Sequence, residues 1–366
     1  MKLGIIGLTN SGKTTLFNAL TKACAPTSVH LFSTSRPNIG VVAVPDERLT
    51  QLSHIFSPKK TTSAYIEFVD IAGLTRSIAG IDGKVNQFFS HIREVDALLH
   101  IVRCFSDENI AHVEKTVNPA RDIGILNLEL IISDLGSVEN RITSIKKQPR
   151  NTDPKLKQEL EILNSIKPVL EQEIPARNIG LSMEDLKIIK SLNLLTLKPV
   201  IYCANISEED LSVKSVQTEG FLDDINEIAN MDNSEVINVC AKIEEEISIL
   251  ETEDKDVFMS ELGIMQSGLD QLVEASYRIL GLISFLTAGP DEVRAWTIKK
   301  GDKASRAAGK IHSDIERGFI RAETIPYPVF MEIRSFVKAK EKGLVRSEGK
   351  EYVVNDGDII DFRFNV

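Results

Sequence analysis

The chain has few of the residues that form disulfides or bind structural metals. Of its 366 residues, only Cys24, Cys104, Cys203 and Cys240 are cysteines, and none are spaced as in a C-x-x-C motif. The six histidines are equally scattered. This pattern fits the reducing cytosol and argues against a zinc site.

Long apolar runs are also missing. No stretch of about 18 consecutive apolar residues occurs, so we expect no transmembrane helix and no membrane partner. The amino terminus has one lysine in an apolar strand pattern and no small-residue cleavage site. We therefore expect no signal peptide and a cytoplasmic protein.

The charge is spread unevenly over an otherwise ordinary globular composition. The net charge is −10, yet residues 294–350 contain fourteen Lys and Arg against seven Asp and Glu, a balance of +7. A basic segment on an acidic chain indicates an anionic partner. A solvated lysine-rich surface explains the same charge equally well.

The first twenty residues carry the strongest motif. Residues 3–6 predict a strand, residues 7–14 (GLTNSGKT) have the G-x-x-x-x-G-K-[ST] spacing, and residues 15–20 suit a helix. This order is typical of a phosphate-binding loop, whose backbone N–H groups and helix dipole face an anion. Lys13 would reach the β- and γ-phosphates, and Thr14 would hold Mg²⁺. The remaining predicted phosphate contacts are Asn10, Ser11, Gly12 and Thr15.

A second motif follows the apolar strand within residues 64–74 (AYIEFVDIAGL). In this D-x-x-G sequence, Asp70 would complete the Mg²⁺ shell through water, and the Gly73 N–H would face the γ-phosphate. Leu74 stands where Ras-like GTPases carry the glutamine that orients the attacking water. Leucine cannot hydrogen-bond water, so we expect hydrolysis to be slow, to use another group, or to need a partner.

Two further residues are candidates, each with a plain alternative. Thr34 lies in the polar loop after the first helix, where P-loop proteins often offer a threonine to Mg²⁺, but a turn threonine fits as well. His112 lies past the carboxyl end of the strand at 97–103 and could position a water. Sequence alone favours an ordinary surface histidine there.

The base-binding motif departs from that of Ras-like GTPases. Residues 205–208 are Asn-Ile-Ser-Glu, where those proteins carry N-K-x-D and the aspartate reads guanine. Glu208 is one methylene longer, and Ile206 replaces the stacking lysine. The Asn205 amide still suits N7 and N6–H₂ of adenine, so we expect ATP to be preferred over GTP. The expected neighbours of the base on the next loop are Cys240, Ala241 and Lys242.

Two segments in the middle of the chain predict a helical hairpin. Apolar residues recur at helical spacing over 126–145 and 156–170, on either side of a basic, proline-containing tip. Two antiparallel helices would bury these stripes against each other, so we place an inserted hairpin at 130–195. It is either a contact arm for a partner or a packed structural element.

The last part of the chain predicts a separate module. Residues 293–298 alternate as a strand, residues 304–311 suit a helix, and residues 352–362 predict a β-hairpin with Asp-Gly at its turn. Mixed strands with one helix fit a small α+β module.

Together these motifs resemble the Obg-like ATPase (YchF) family of translation-factor-related P-loop NTPases. The most specific stretches are FVDIAGL (68–74), IREVDALLHIVRCF (92–105), NISE (205–208) and DGDIIDFRFNV (356–366). The resemblance implies an α/β P-loop G domain at 1–280 with a doubly wound mixed sheet and the inserted hairpin. It also implies a C-terminal TGS domain of β-grasp shape at 281–366.

The resemblance also implies an activity and partners. It implies Mg²⁺-dependent ATP hydrolysis with Leu74 in place of glutamine, binding to the ribosome or a subunit, and RNA contact through the TGS domain. It favours Thr34 as the switch threonine and makes His112 a candidate catalytic residue. Asn10 matches a place where some relatives bind K⁺, so K⁺ stays open.

Three functions remain from the sequence. The first is a slow ATPase acting as a ribosome-binding switch, the second a nucleotide-gated ribosome- or RNA-binding module with incidental hydrolysis, and the third a conventional GTPase. No dimer seam is visible, so we expect a monomer.

Overall fold

The structure is a computed structural model that describes residues 1–22, 37–71, 83–147, 153–211 and 215–365. Its chain divides into two units, one made of Met1–Val41 with Glu67–Leu272 and the other of Val42–Ile66 with Val273–Val366. The predicted boundary at residues 280 and 281 stays a prediction. The division adds residues 42–66 to the C-terminal unit, which no sequence signal had indicated.

Twelve strands and fourteen α-helices occur among the described residues of the two units. The strands are β1 (Lys2–Ile6), β2 (Asn38–Ala43), β3 (Lys60–Thr62), β4 (Tyr65–Asp70), β5 (Ala97–Arg103), β6 (Val200–Asn205), β7 (Glu235–Val239), β8 (Leu282–Ala288), β9 (Glu292–Lys299), β10 (Phe319–Pro326), β11 (Arg346–Glu348) and β12 (Asp358–Phe364). The α-helices are α1 (Lys13–Lys22), α2 (Glu47–Phe56), α3 (Gly83–Arg93), α4 (Pro119–Lys147), α5 (Pro154–Glu171), α6 (Met183–Ile189), α7 (Val216–Met231), α8 (Ala241–Ile247), α9 (Thr252–Glu261), α10 (Gly268–Ile279), α11 (Ala304–Ile311), α12 (Ser313–Arg317), α13 (Tyr327–Ile333) and α14 (Phe336–Glu341). Short 3₁₀ turns lie at Ala176–Ile179, Lys190–Leu192, Leu195–Leu197 and Glu209–Leu211.

The first sheet has the strand order β2-β4-β1-β5-β6-β7, and the strands from β4 to β7 pair in parallel. Every residue of β5 and β6 is buried, as expected for central parallel strands that are covered on both faces. The predicted α/β class is confirmed. Because the strands are parallel, their carboxyl ends meet at one edge, where such sheets bind ligands.

The two long helices form the predicted antiparallel pair, although α4 begins earlier than the apolar pattern indicated. Arg141 of α4 binds Glu159 of α5 through two bonds of 2.7 Å each, and Glu139 binds Lys167 at 2.9 Å. The residue that comes later on α4, Arg141, thus pairs with the residue that comes earlier on α5, Glu159, as expected for antiparallel helices. An apolar core joins the two helices through Ile131, Val138, Ile142, Ile145, Ile162, Leu163, Ile166 and Leu170.

The second unit is built on a mixed sheet with the order β11-β10-β12-β8-β9-β3. β10 pairs antiparallel with β11 and β12, and β8 pairs antiparallel with β9 and parallel with β12. β3, from residues 42–66, extends this sheet by pairing in parallel with β9. A mixed sheet carrying helices fits the expected α+β module, and its assignment as a TGS domain stays a prediction.

The prediction of a β-hairpin at residues 352–362 is wrong. β12 pairs with β10 and β8, and Val353 makes only an isolated bridge to Lys303. The buried Asp358 carboxylate accepts hydrogen bonds from the Asn355 N–H at 2.9 Å and the Tyr352 hydroxyl at 2.7 Å. Side-chain hydrogen bonds within residues 352–358 thus stabilise the turn, and β12 pairs with β10 and β8 instead of with the residues just before the turn.

Among the described residues, no helix combines the length and the apolar character that a membrane span requires.

Candidate functional site

The glycine loop between β1 and α1 has a backbone that only glycine accommodates at two positions. Gly7 has φ +155° and Gly12 has φ +99°, both unfavourable for other residues. A Cβ on Gly7 would lie 2.5 Å from the Ile101 carbonyl oxygen, and one on Gly12 would lie 2.3 Å from Asn205 Nδ2. The loop is therefore packed tightly against β5 and the end of β6.

Lys13, the first residue of α1, folds back over this loop. Its Nζ donates a hydrogen bond of 2.6 Å to the Leu8 carbonyl, and the residue is 7% exposed. Burial lowers the pKa of the Lys13 ammonium to about 8, and the negative charge of Asp70 partly opposes this shift. The loop thus holds a desolvated ammonium, a group that gains strongly from a phosphate partner.

Asp70 ends β4 at the same edge of the sheet. Burial raises the pKa of its carboxyl, while the Lys13 charge and a hydrogen bond from Asn38 oppose the shift. Thr14 is exposed at the second position of α1. A hydroxyl and a carboxylate are hard oxygen ligands, and they fit a Mg²⁺ ion that takes its remaining ligands from water and phosphate. The described residues contain no cluster of three or more His, Cys, Asp or Glu side chains that could hold a metal by themselves.

Three predicted site residues, Thr34, Gly73 and Leu74, lie outside the described residues. Their predicted roles therefore stay predictions. Of the other predicted loop residues, Ser11 is buried, Asn10 is exposed with φ +65°, and Thr15 is half-buried on α1.

The loop after β5 brings His112 to the glycine loop. Asn10 Nδ2 donates a hydrogen bond of 2.9 Å to the carbonyl of Ala111, the residue before His112. His112 is not an ordinary surface histidine, because its side chain is only 5% exposed and its Nε2 lies 2.9 Å from Asp122 Oδ2. The structure therefore places His112 beside the phosphate-binding loop.

Arg103, which the sequence analysis missed, holds this loop in shape. It ends β5, is buried, and donates hydrogen bonds to the carbonyls of Phe105 (3.1 Å), Ile110 (3.0 Å) and Asp107 (3.2 Å). An arginine at the end of a mostly apolar strand was the available signal, since a buried guanidinium needs several acceptors.

Asn205 links two loops of the site. Its Nδ2 donates to the Ser11 carbonyl at 3.0 Å, and its Oδ1 accepts from the Ala241 N–H at 3.0 Å. An amide nitrogen carries two hydrogens, and the bond to Ser11 uses one of them. Cys240 and Ala241 are buried at the start of α8, beside this amide.

The other predicted base contacts separate into a buried and an exposed group. Ile206 is 3% exposed and packs in the apolar core, so its side chain is not brought to the base region. Glu208 and Lys242 are exposed and bind each other at 2.9 Å. The acceptor that replaces the guanine-reading aspartate is thus paired with a lysine in the first turn of α8.

Comparison with known proteins finds two family models that match this chain. A family model named MMR_HSR1, described as a 50S ribosome-binding GTPase, matches residues 2–132. A second, named YchF-GTPase_C and described as a protein of unknown function (DUF933), matches residues 282–365.

Similar proteins span the whole chain. The Ribosome-binding ATPase YchF of Bacillus subtilis is 52% identical over 363 residues, which cover 99% of each chain. Its namesake from Escherichia coli O157:H7 is 46% identical over 365 residues, covering 100% of this chain and 99% of that one. The solved structure of the Schizosaccharomyces pombe YchF GTPase has a TM-score of 0.87 and 35% identity, and it covers 99% of this chain and 97% of its own.

The fold and the glycine loop with its buried lysine define a P-loop nucleotide-binding protein of the G-domain class. Within that class, the chain belongs to the YchF family.

Proposed function

We propose that this chain hydrolyses ATP slowly with Mg²⁺ and acts as a nucleotide-dependent switch. The observation that carries the proposal is the desolvated Lys13 ammonium lying over a glycine loop at the carboxyl edge of a parallel sheet. Water would add to the γ-phosphorus as the bond from phosphorus to the bridging oxygen breaks, giving ADP, inorganic phosphate and a proton that passes to solvent. Lys13 and the loop N–H groups would bind the phosphates and oppose their charge.

A bound Mg²⁺ would neutralise phosphate charge during the transfer. The residues proposed to hold it are Thr14, Asp70 and, from the sequence motif, Thr34. Slow turnover is proposed because Leu74 cannot bind the attacking water, which leaves His112 as the side chain proposed to place it.

The proposed preference for ATP rests on the base-binding residues. Glu208 is one methylene longer than the aspartate that reads guanine, so we expect its carboxylate to accept guanine's two N–H donors less well. Its exposed pair with Lys242 adds little to this effect. The remaining N–H of Asn205 can donate to N7 of either purine. The names of the relatives differ on this point, since the bacterial proteins are called ATPases and the fission-yeast structure a GTPase.

Parallel calorimetric titrations with ATP and GTP, each with Mg²⁺, test this preference. We expect ATP to bind at least about tenfold more tightly, a difference of about 1.4 kcal/mol. Glu208→Asp is the matched variant, because it restores the aspartate of the guanine-reading motif. It should reduce the ratio of ATP affinity to GTP affinity. The same titrations with a chelator should weaken both nucleotides if Mg²⁺ contributes. A tenfold preference of the unaltered chain for GTP would favour the conventional GTPase instead.

We also propose the ribosome or one of its subunits as the partner. The bacterial relatives are named ribosome-binding, and the +7 balance of residues 294–350 suits a phosphate-rich surface. RNA contact through a TGS domain, a monomeric state and a cytoplasmic location belong to this proposal, and K⁺ at Asn10 stays open.

Sedimentation with purified ribosomes over a series of KCl concentrations tests the partner. Affinity should fall steeply with salt if Lys and Arg side chains displace counterions from RNA. A Lys338→Glu, Lys342→Glu double variant, at two exposed positions of the basic segment, should bind more weakly and show a shallower salt slope. Binding that ignores salt in both proteins would contradict a contact through this segment.

A further inference from the structure

The buried contact between His112 and Asp122 joins the loop after β5 to the first turn of α4. His112 Nε2 lies 2.9 Å from Asp122 Oδ2, and the two side chains are 5% and 6% exposed. Surface pairs of this kind contribute little because water screens them. This pair is removed from water, so it can fix the orientation of the ring.

The second ring nitrogen shows which tautomer this contact selects. The Glu114 N–H donates a hydrogen bond of 3.0 Å to His112 Nδ1. A neutral imidazole carries one N–H, and a nitrogen that accepts a hydrogen bond does not carry it. The proton of the neutral ring is therefore on Nε2, from which it is donated to Asp122, and Nδ1 is the acceptor.

Asp122 is itself held in place. Arg121 donates to Asp122 Oδ1 through Nε at 3.1 Å and through Nη2 at 2.9 Å. The same guanidinium binds the Thr116 hydroxyl at 3.0 Å and the Thr116 carbonyl at 2.5 Å. The Asp122 carboxylate thus accepts hydrogen bonds from Arg121 at Oδ1 and from His112 at Oδ2.

The ring also lies close to the phosphate-binding loop. Besides the bond from Asn10 to Ala111, a small cavity has both Ser11 of this loop and the pair His112 and Asp122 among its lining residues. The Ser11 hydroxyl is buried and, within the described residues, has no hydrogen-bond partner. A buried hydroxyl of this kind is commonly satisfied by water.

From this geometry we propose that Asp122 is a positioning residue for ATP hydrolysis. Its carboxylate accepts the hydrogen bond from the single N–H of His112, at Nε2. Nδ1 therefore stays an acceptor for a hydrogen bond from the attacking water. For the water to bind there it must take the place of the Glu114 N–H, which donates to the same atom in this structure. The inference rests on the proposed hydrolysis of ATP and on His112 as the side chain that places the water.

Steady-state kinetics of Asp122→Asn, His112→Ala and the double variant test the inference. An asparagine can turn its NH₂ group toward the ring and favour the other tautomer, so we expect kcat to fall roughly 10- to 100-fold. The KM for ATP and the calorimetric affinity for ATP should stay within about twofold, since Asp122 is not proposed to touch the nucleotide. The double variant should be no slower than His112→Ala alone, because both changes remove one function.

Asp134→Asn is the matched control. Asp134 lies on the same helix, is fully buried, and accepts hydrogen bonds from the backbone of Leu195 and Thr196 at 2.8 Å and 2.7 Å. The same substitution there should lower the melting temperature and leave kcat unchanged. This separates damage to α4 from loss of the His112 tautomer.

A spectroscopic measurement on the unaltered protein keeps the inference testable if Asp122→Asn does not fold. Long-range ¹H–¹⁵N spectra, with His112 assigned from the His112→Ala spectrum, should show the Nε2–H tautomer. An Nδ1–H tautomer, an unchanged kcat in Asp122→Asn, or a double variant slower than His112→Ala would each overturn the role of Asp122. A normal rate in His112→Ala would remove both residues from the reaction but leave the proposed ATPase standing, because that depends on Lys13.

Discussion

Lys13→Ala is expected to abolish ATP binding at concentrations where the unaltered chain is saturated. The Lys13 ammonium is buried and held over the loop by the Leu8 carbonyl, so it is already desolvated and placed for the phosphates. Charge-assisted bonds of this kind contribute about 1.5–3 kcal/mol each, so we expect an affinity loss of about 100-fold or more. Calorimetry with ATP and Mg²⁺ measures it directly.

Lys22→Ala is the control for this experiment. Lys22 is the last residue of the same helix α1, about 13 Å along the axis from Lys13. It should bind ATP like the unaltered chain, which separates the phosphate contact from any general loss of positive charge on α1. Full ATP turnover in Lys13→Ala would show that the nucleotide site lies elsewhere.

Arg177→Met is expected to cause a large loss of stability in the first unit. Arg177 binds Asp232 at 3.0 Å, and the two side chains are 7% and 4% exposed. The guanidinium also donates to the Asn127 side chain at 3.1 Å and to the carbonyls of Thr196 and Lys198 at 3.3 Å and 3.4 Å. Removing it leaves a buried carboxylate with only part of its compensation.

We expect the free energy of unfolding to fall by about 3–5 kcal/mol, the usual cost of breaking a buried ion pair from one side. Urea unfolding followed by circular dichroism measures the loss, and hydrogen exchange of the β6 amides shows that it falls on this unit. Lys167→Met is the matched control. It breaks exposed pairs with Glu139 and Glu171 and should leave the free energy of unfolding nearly unchanged, because water screens both pairs. Equal losses of unfolding free energy in the two variants would show that burial of the Arg177–Asp232 pair does not determine its contribution to stability.

Local patterns predicted the strand and the helix on either side of the glycine loop. A strand, a glycine turn and a helix in residues 3–20 specify a phosphate-binding loop, because spacing and backbone freedom along a short stretch decide it. The apolar stripes of the hairpin similarly predicted α4 and α5. The hairpin at 352–362 failed for the converse reason, since a turn signal with short flanking strands does not say which strands will pair.

The roles of Asn205, Ile206 and His112 show the limit of such patterns. Asn205 was expected only to read a base, yet its amide also joins the Ser11 carbonyl to the Ala241 N–H. Ile206 was counted among the base contacts and is packed in the core. Spacing alone made His112 a surface residue, and nothing in the sequence paired it with Asp122.

What the sequence determined by itself is therefore the set of chemical groups and the short segments that carry them: Lys13 and Thr14 on a helix start, Asp70 at a strand end, and a leucine in place of glutamine. These depend on neighbours a few residues apart. The tertiary structure decided which distant groups meet, including Asn205 with the glycine loop, Asp122 with His112, and residues 42–66 with the C-terminal sheet. These contacts depend on strand order and on the packing of buried polar groups, and both are set only when distant parts of the chain fold together.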